Sequence, residues 1–168
     1  MNTSRLVFVI EGIPMPKQSF KVGKYANFTP KKTKDKINDT IAQIKAFLPE
    51  NFALIEEPVE LSYYFFFPFT QQYSKKKTIV EKINYFLQNS LIPVAHKPTK
   101  PDLDNLMKLY NDCLNGLVIK DDALIVGYNQ IRKFYSAAPG VIITVDIVNT
   151  KEIIYGINLG EETNESTN

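Results

Sequence analysis

The apolar positions along the chain change period several times, and the changes mark the elements. Residues 6–11 (LVFVIE) form a short β-favouring run, broken by Gly12, Pro14 and Pro16. Residues 17–32 are basic and irregular, punctuated by Gly23 and Pro30. Ile37, Ile41, Ile44 and Phe47 then recur at helical spacing, which predicts a helix over 33–47 ending before Pro49. Residues 58–69 (PVELSYYFFFPF) predict an aromatic-rich strand. After a polar, basic stretch at 71–77, Ile79, Ile83 and Phe86 share one side of a short predicted helix over 78–87. Residues 88–101 contain three prolines and predict a loop. Leu103, Leu106, Met107, Tyr110 and Leu114 predict a second clear helix over 103–114, with Asn115 and Gly116 as its stop. Residues 123–135 and 141–148 predict two strands joined by a turn at Ala138, Pro139 and Gly140, a C-terminal β-hairpin. Strands and helices interleave, so the expected fold class is α+β, one domain over 1–150. The polar, acidic tail at 151–168 is expected to be partly flexible.

Composition narrows the chemistry. The 168 residues are 44% hydrophobic and 12% aromatic, enough to bury one core. The single cysteine, Cys113, excludes a disulfide framework and a cysteine-based zinc or iron–sulfur site. The single histidine, His96, excludes a multi-histidine metal site; it is expected in a loop or against a phosphate. Cys113 is expected to be buried in its helix. No apolar run is long enough to span a bilayer, and residues 1–6 lack the pattern of a secretion signal, so the expected location is cytoplasmic.

Charge is segregated although the net is only +2. Residues 1–48 carry nine Lys or Arg against three acids, and residues 68–108 carry seven against three. Between them, residues 49–67 carry four acids and no base. Two basic regions meeting on one face would suit a polyanion such as nucleic acid; spread out, they would be an ordinary solvated surface. Lys17, Lys21, Lys24, Lys31, Lys32, Lys75, Lys76, Lys77, Lys97 and Lys100 are the candidate phosphate contacts. Phe20, Tyr25 and Phe28 interleave with them and would either stack on bases or pack under a loop.

The densest acids outside the tail are Asp102, Asp104, Asp112, Asp121 and Asp122. Folding that closed the two ends of the helix segment on each other would bring three of these carboxylates into one pocket, a repulsive cluster unless a cation neutralised it. Oxygen donors without His or Cys favour Mg²⁺ or Mn²⁺. Lys108 lies four residues after Asp104 on the same helix face, where it could stabilise charge on a phosphate. Each residue also has a plain structural reading. Asp102 or Asp104 could cap the helix, Lys108 could pair with Asp104 or Asp112, and Asp121 with Asp122 could form a turn.

Residues 97–108 (KPTKPDLDNLMK), 112–116 (DCLNG) and 121–125 (DDALI) together resemble the signature of RusA-type Holliday-junction resolvases. Residues 12–17 (GIPMPK), the segment from Tyr25 to Thr33, and residues 74–77 (SKKK) are similar to further elements of that family. The resemblance covers about residues 6–148. It departs at 16–21 (PKQSFK), where the family pattern carries arginines. It implies a mixed sheet with helices packed on one face. It also implies a Mg²⁺-dependent endodeoxyribonuclease, with Mn²⁺ as substitute, acting as a homodimer on four-way junctions in recombination, repair or phage DNA processing. The catalytic residues it implies are Asp102, Asp104, Asp122 and Lys108, the three acids also being the metal ligands. Competing readings are a flap- or fork-selective nuclease and a junction-binding protein that does not cut.

Overall fold

The protein, seen here as a computed structural model, is described at residues 5–18, 21–22, 27–28 and 30–148. The expected tail at 151–168, with Phe20, Lys24 and Tyr25, lies outside these residues. The elements in chain order are β1 (Arg5–Glu11), β2 (Lys21–Val22), β3 (Asn27–Phe28), α1 (Lys31–Phe47), β4 (Val59–Pro68), α2 (Gln71–Ser74), α3 (Lys77–Gln88), β5 (Val94–His96), α4 (Leu103–Leu114), β6 (Ile125–Ser136) and β7 (Gly140–Ile147). The expected α+β class holds. Five strands form one mixed sheet in the order β1-β7-β4-β6-β5, and β2 pairs with β3 in a separate ribbon.

β4 is central because its sequence suits it to that place. Its alternate residues Val59, Leu61, Tyr63, Phe65 and Phe67 are buried in the core, while Glu60, Tyr64 and Phe66 on its other face are only half-buried. It pairs antiparallel with β7 and parallel with β6. In these registers Tyr63 faces Ile143, Phe65 faces Val141 and Leu61 faces Val145. All six are buried, together with Phe8 and Ile10 of β1. Helices α1 and α4 cover this face. From α4 come Leu106, Leu109, Tyr110, Cys113 and Leu114, and from α1 comes Ile44, all fully buried. The periodicity anticipated most of this stripe, but Phe47 stands 56% exposed at the end of α1.

Three expectations are corrected. β6 and β7 are consecutive, antiparallel and joined by a short turn, but β4 lies between them, so they share no ladder. A local hairpin would leave the most apolar strand at an edge; straddling it buries both its flanks. The loop expected at 88–101 contains β5, a three-residue edge strand that carries His96. Pro93 and Pro98 keep it short. The strand expected from residue 123 begins at Ile125, because Asp122–Leu124 forms a 3-10 turn.

Gly140 opens β7 for a steric reason: a Cβ there would lie 2.8 Å from the carbonyl oxygen of Ile10. On the opposite face of the sheet, Val7 and Val9 are each 50% exposed among the described residues. Among the described residues, no helix is long and apolar enough to cross a membrane.

Replacing Ile143 by Ala should cost about 2–5 kcal/mol in urea denaturation, since it empties a fully buried position between two strands. Burial also pushes the Cys113 thiol up to about 12. The native protein should therefore resist thiol reagents at pH 8 and react stoichiometrically once unfolded.

Candidate active site on helix α4

The packing of α4 decides what it displays. Its buried stripe faces β4 and α1, which turns Asp104, Lys108 and Asp112 outward. Lys108 Nζ donates to Asp104 Oδ2 at 3.1 Å, one helical turn away. This bond holds the Asp104 carboxyl below the usual carboxylate range, so it keeps its charge to lower pH than a free aspartate. Lys17 reaches the same helix from the segment after β1. Its amide donates to the carbonyl of Asn105 at 2.7 Å, and its ammonium lies 2.6 Å from Asp112 Oδ2. Asp104, Lys108, Asp112 and Lys17 thus share one surface in alternating charge.

Asp102 occupies the N-cap position of α4, but its side chain makes no capping hydrogen bond. Asp121 does cap: its Oδ1 accepts from the Ala123 amide at 2.8 Å. Asp122 is exposed and, among the described residues, its carboxylate has no hydrogen bond or ion pair. The two acidic pairs arrive by different routes. Asp102 and Asp104 open α4, whereas Asp121 and Asp122 follow the return from its other end, where Ile119 bridges to Asn115 and Ile55. Among the described residues, no three His, Cys, Asp or Glu side chains are grouped so that they could hold a metal ion, so Asp102, Asp104 and Asp122 do not form a ready ligand set. The donor set still fits a hard cation. All three acids offer exposed oxygens, and two of them are unengaged. Mg²⁺ commonly takes one or two protein carboxylates, with water and substrate phosphate completing its shell.

The candidate phosphate contacts divide sharply. Lys31, Lys32, Lys75, Lys76, Lys77 and Lys100 are exposed. Lys77 Nζ lies 4.0 Å from Glu81. Lys21 falls in β2. Lys97 is a correction: it is only 8% exposed and its ammonium is turned into the loop before α4. A charge so enclosed cannot meet a phosphate without leaving its partners. His96 is exposed, with its ring 5.2 Å from that of Phe134.

Sequence reading missed two features. Lys133 of β6 donates to the carbonyls of Thr99 and Pro101, each at 2.7 Å. A lysine in a strand gives no local sign of such a role. Asn111 links two tyrosines, accepting from Tyr63 Oη at 2.6 Å and donating to Tyr128 Oη at 2.8 Å. Burial raises the Tyr63 hydroxyl well above the ordinary phenol range, so it stays a donor at neutral pH.

The fold is an α+β domain whose helix α4 displays carboxylates and a lysine on its open face. The chain belongs to the family described as Endodeoxyribonuclease RusA, which it matches over residues 11–146. It is also 31% identical over 142 residues to the Bacillus subtilis (strain 168) protein described as "Uncharacterized protein YqaN". That match covers 82% of this chain and 93% of the relative.

Asp121 and Asp122 should separate in urea denaturation. Asp121→Ala removes a cap and should cost about 0.5–2 kcal/mol, whereas Asp122→Ala should stay within about 0.5 kcal/mol of the wild type.

Proposed function

We propose that the protein is a Mg²⁺-dependent, structure-selective endodeoxyribonuclease that resolves four-way DNA junctions by paired, symmetric nicks. The observation that carries this reading is the Asp104–Lys108 pair on the exposed face of α4, two residues from Asp102, whose carboxylate makes no capping bond. Membership of an endodeoxyribonuclease family supports the same chemistry. Asp102 and Asp104 would offer the cation its first carboxylates, and Asp122 would have to close on them to complete the set, with Mn²⁺ as substitute. When bound, it supplies Lewis acidity and charge neutralisation at the scissile phosphate. Lys108, tethered to Asp104, would stabilise the charge that grows on phosphorus or on the leaving 3′ oxygen. The products would be a 5′-phosphate and a 3′-hydroxyl.

Lys17, Lys31, Lys32, Lys75, Lys76, Lys77 and Lys100 would bind backbone phosphates, with Lys21 and Lys24 from the same basic segment. Lys17 would exchange Asp112 for phosphate. The substrate has two-fold symmetry, and a homodimer matches it. The exposed apolar side chains on the opposite sheet face support self-association. There Val9, Phe66 and Ile142 line an apolar groove of about 440 Å³. The setting is DNA recombination and repair or phage DNA processing, in the cytoplasm.

The test offers a labelled four-way junction, a flap and a linear duplex to the protein, with Mg²⁺ or EDTA. Paired nicks in the junction alone, lost in EDTA, are expected. Asp104→Asn should lower cleavage on the order of 10²-fold or more and leave junction binding nearly intact. Binding should weaken steeply with salt, because it rests on lysine–phosphate contacts. Full activity in Asp104→Asn would sink the site assignment. Preferred cutting of the flap would make the protein a flap nuclease, and binding without cutting would make it a junction binder.

A further inference from the structure

The loop that delivers the chain to Asp102 is held by two lysines. Lys97 is 8% exposed. Its ammonium donates to the Thr99 hydroxyl at 2.6 Å, to the Thr99 carbonyl at 3.3 Å and to the Lys100 carbonyl. Those three acceptors match the three protons of an ammonium group. The same nitrogen lies 4.9 Å from the centre of the Phe67 ring and 5.2 Å from that of Tyr135, within cation–π range of both. Thr99 Oγ1 is also 3.0 Å from Tyr135 Oη, which ties the loop to β6. Lys133 donates to Thr99 and Pro101 carbonyls at 2.7 Å each. The Lys97 amide donates to the Lys133 carbonyl at 3.2 Å, so the two lysines are anchored to each other through backbone.

Three successive carbonyls, those of Thr99, Lys100 and Pro101, are therefore taken by two ammonium groups, and the next residue is Asp102. Neither lysine has a carboxylate within ion-pair distance among the described residues. Their charge is satisfied by dipoles and ring faces alone.

We propose that Lys97 and Lys133 are positioning residues, a cationic clamp that fixes the backbone of residues 99–101 and so sets where Asp102 and Asp104 project. The clamp rests on the nuclease reading only for what those carboxylates do, and its mechanical half stands without it. A long lysine side chain on each side does what a short loop cannot do alone, because residues 97–101 have no ladder partner beyond the Lys97 amide. Each ammonium–carbonyl bond is charge-assisted, and Lys97 makes its own where water is excluded.

The experiment compares the full-length wild type with Lys97→Met, Lys133→Met and Lys133→Arg. Three quantities are read: hydrogen exchange in peptides covering 97–106, free Mn²⁺ by electron paramagnetic resonance, and kcat, KM and Kd on the four-way junction. In Lys133→Met, exchange over 99–106 should accelerate about tenfold, while β4 and β7 stay as protected as in the wild type. Mn²⁺ affinity and kcat should each fall about 10–100-fold, with junction Kd within twofold. Lys133→Arg keeps donors for both carbonyls and should recover kcat to within about threefold of the wild type.

Unchanged exchange in both Met variants overturns the clamp, whatever the activity. A raised junction Kd with kcat intact also overturns it, and makes these lysines phosphate contacts. Where Lys97→Met fails to fold, the half-buried Lys133 carries the decision. If the wild type neither binds Mn²⁺ nor cuts branched DNA, the nuclease reading falls, and the exchange comparison still decides the clamp.

Discussion

The burial of one face of α4 against the central strand is the constraint from which the site follows. Leu106, Leu109, Tyr110, Cys113 and Leu114 are all fully buried, and the ring of Tyr110 lies 5.5 Å from that of Phe65. At roughly 1.5–3 kcal/mol for each large apolar side chain, that stripe fixes the rotation of the helix. Exposed ion pairs contribute far less, because water screens them. Asp104, Lys108 and Asp112 therefore take their places because the core turns them outward, and their charges follow the packing. A truncation inside the core can alter the chemistry with no contact to it, by letting α4 roll on β4.

Sequence periodicity is a good guide where structure is local. The 3.6-residue spacing in α4 is set by its own side chains, and the helix spans the residues it predicts. Asn115 and Gly116 end it as their chemistry requires, with Gly116 at a φ of 69°. The strands of the sheet are equally legible one by one. Their order is not, because pairing is decided between segments far apart in the chain. Nothing within residues 123–148 says that β4, more than fifty residues earlier, will come between the last two strands. β5 was hidden for a related reason: three residues at an edge carry too little pattern to show against flanking prolines.

The site divides along the same line. The Asp104–Lys108 contact is an i, i+4 relation, readable from spacing alone. Lys17 against Asp112 and Lys133 against Pro101 join segments 95 and 32 residues apart, and no spacing rule reaches them. Lys97 shows the limit of charge counting. A lysine within a basic stretch reads as a surface cation, yet its neighbours Phe67 and Tyr135, brought in by β4 and β6, enclose it.

The choice of partners for the two buried-side lysines has an electrostatic logic. A carboxylate would satisfy an ammonium well, but placed behind Asp102 it would add negative charge to a region that already holds Asp102 and Asp104. Like charges brought close raise the cost of ionising each other. Backbone carbonyls and aromatic faces bind an ammonium through dipoles and quadrupoles and bring no net charge. The loop thus keeps two uncompensated positive charges near its acids. That favours the approach of a phosphate that those acids alone would repel. A nuclease of the proposed kind, which must bring anionic side chains against an anionic polymer, needs such positive charge close by, and the two lysines supply it while bonding to carbonyls and not to the carboxylate oxygens.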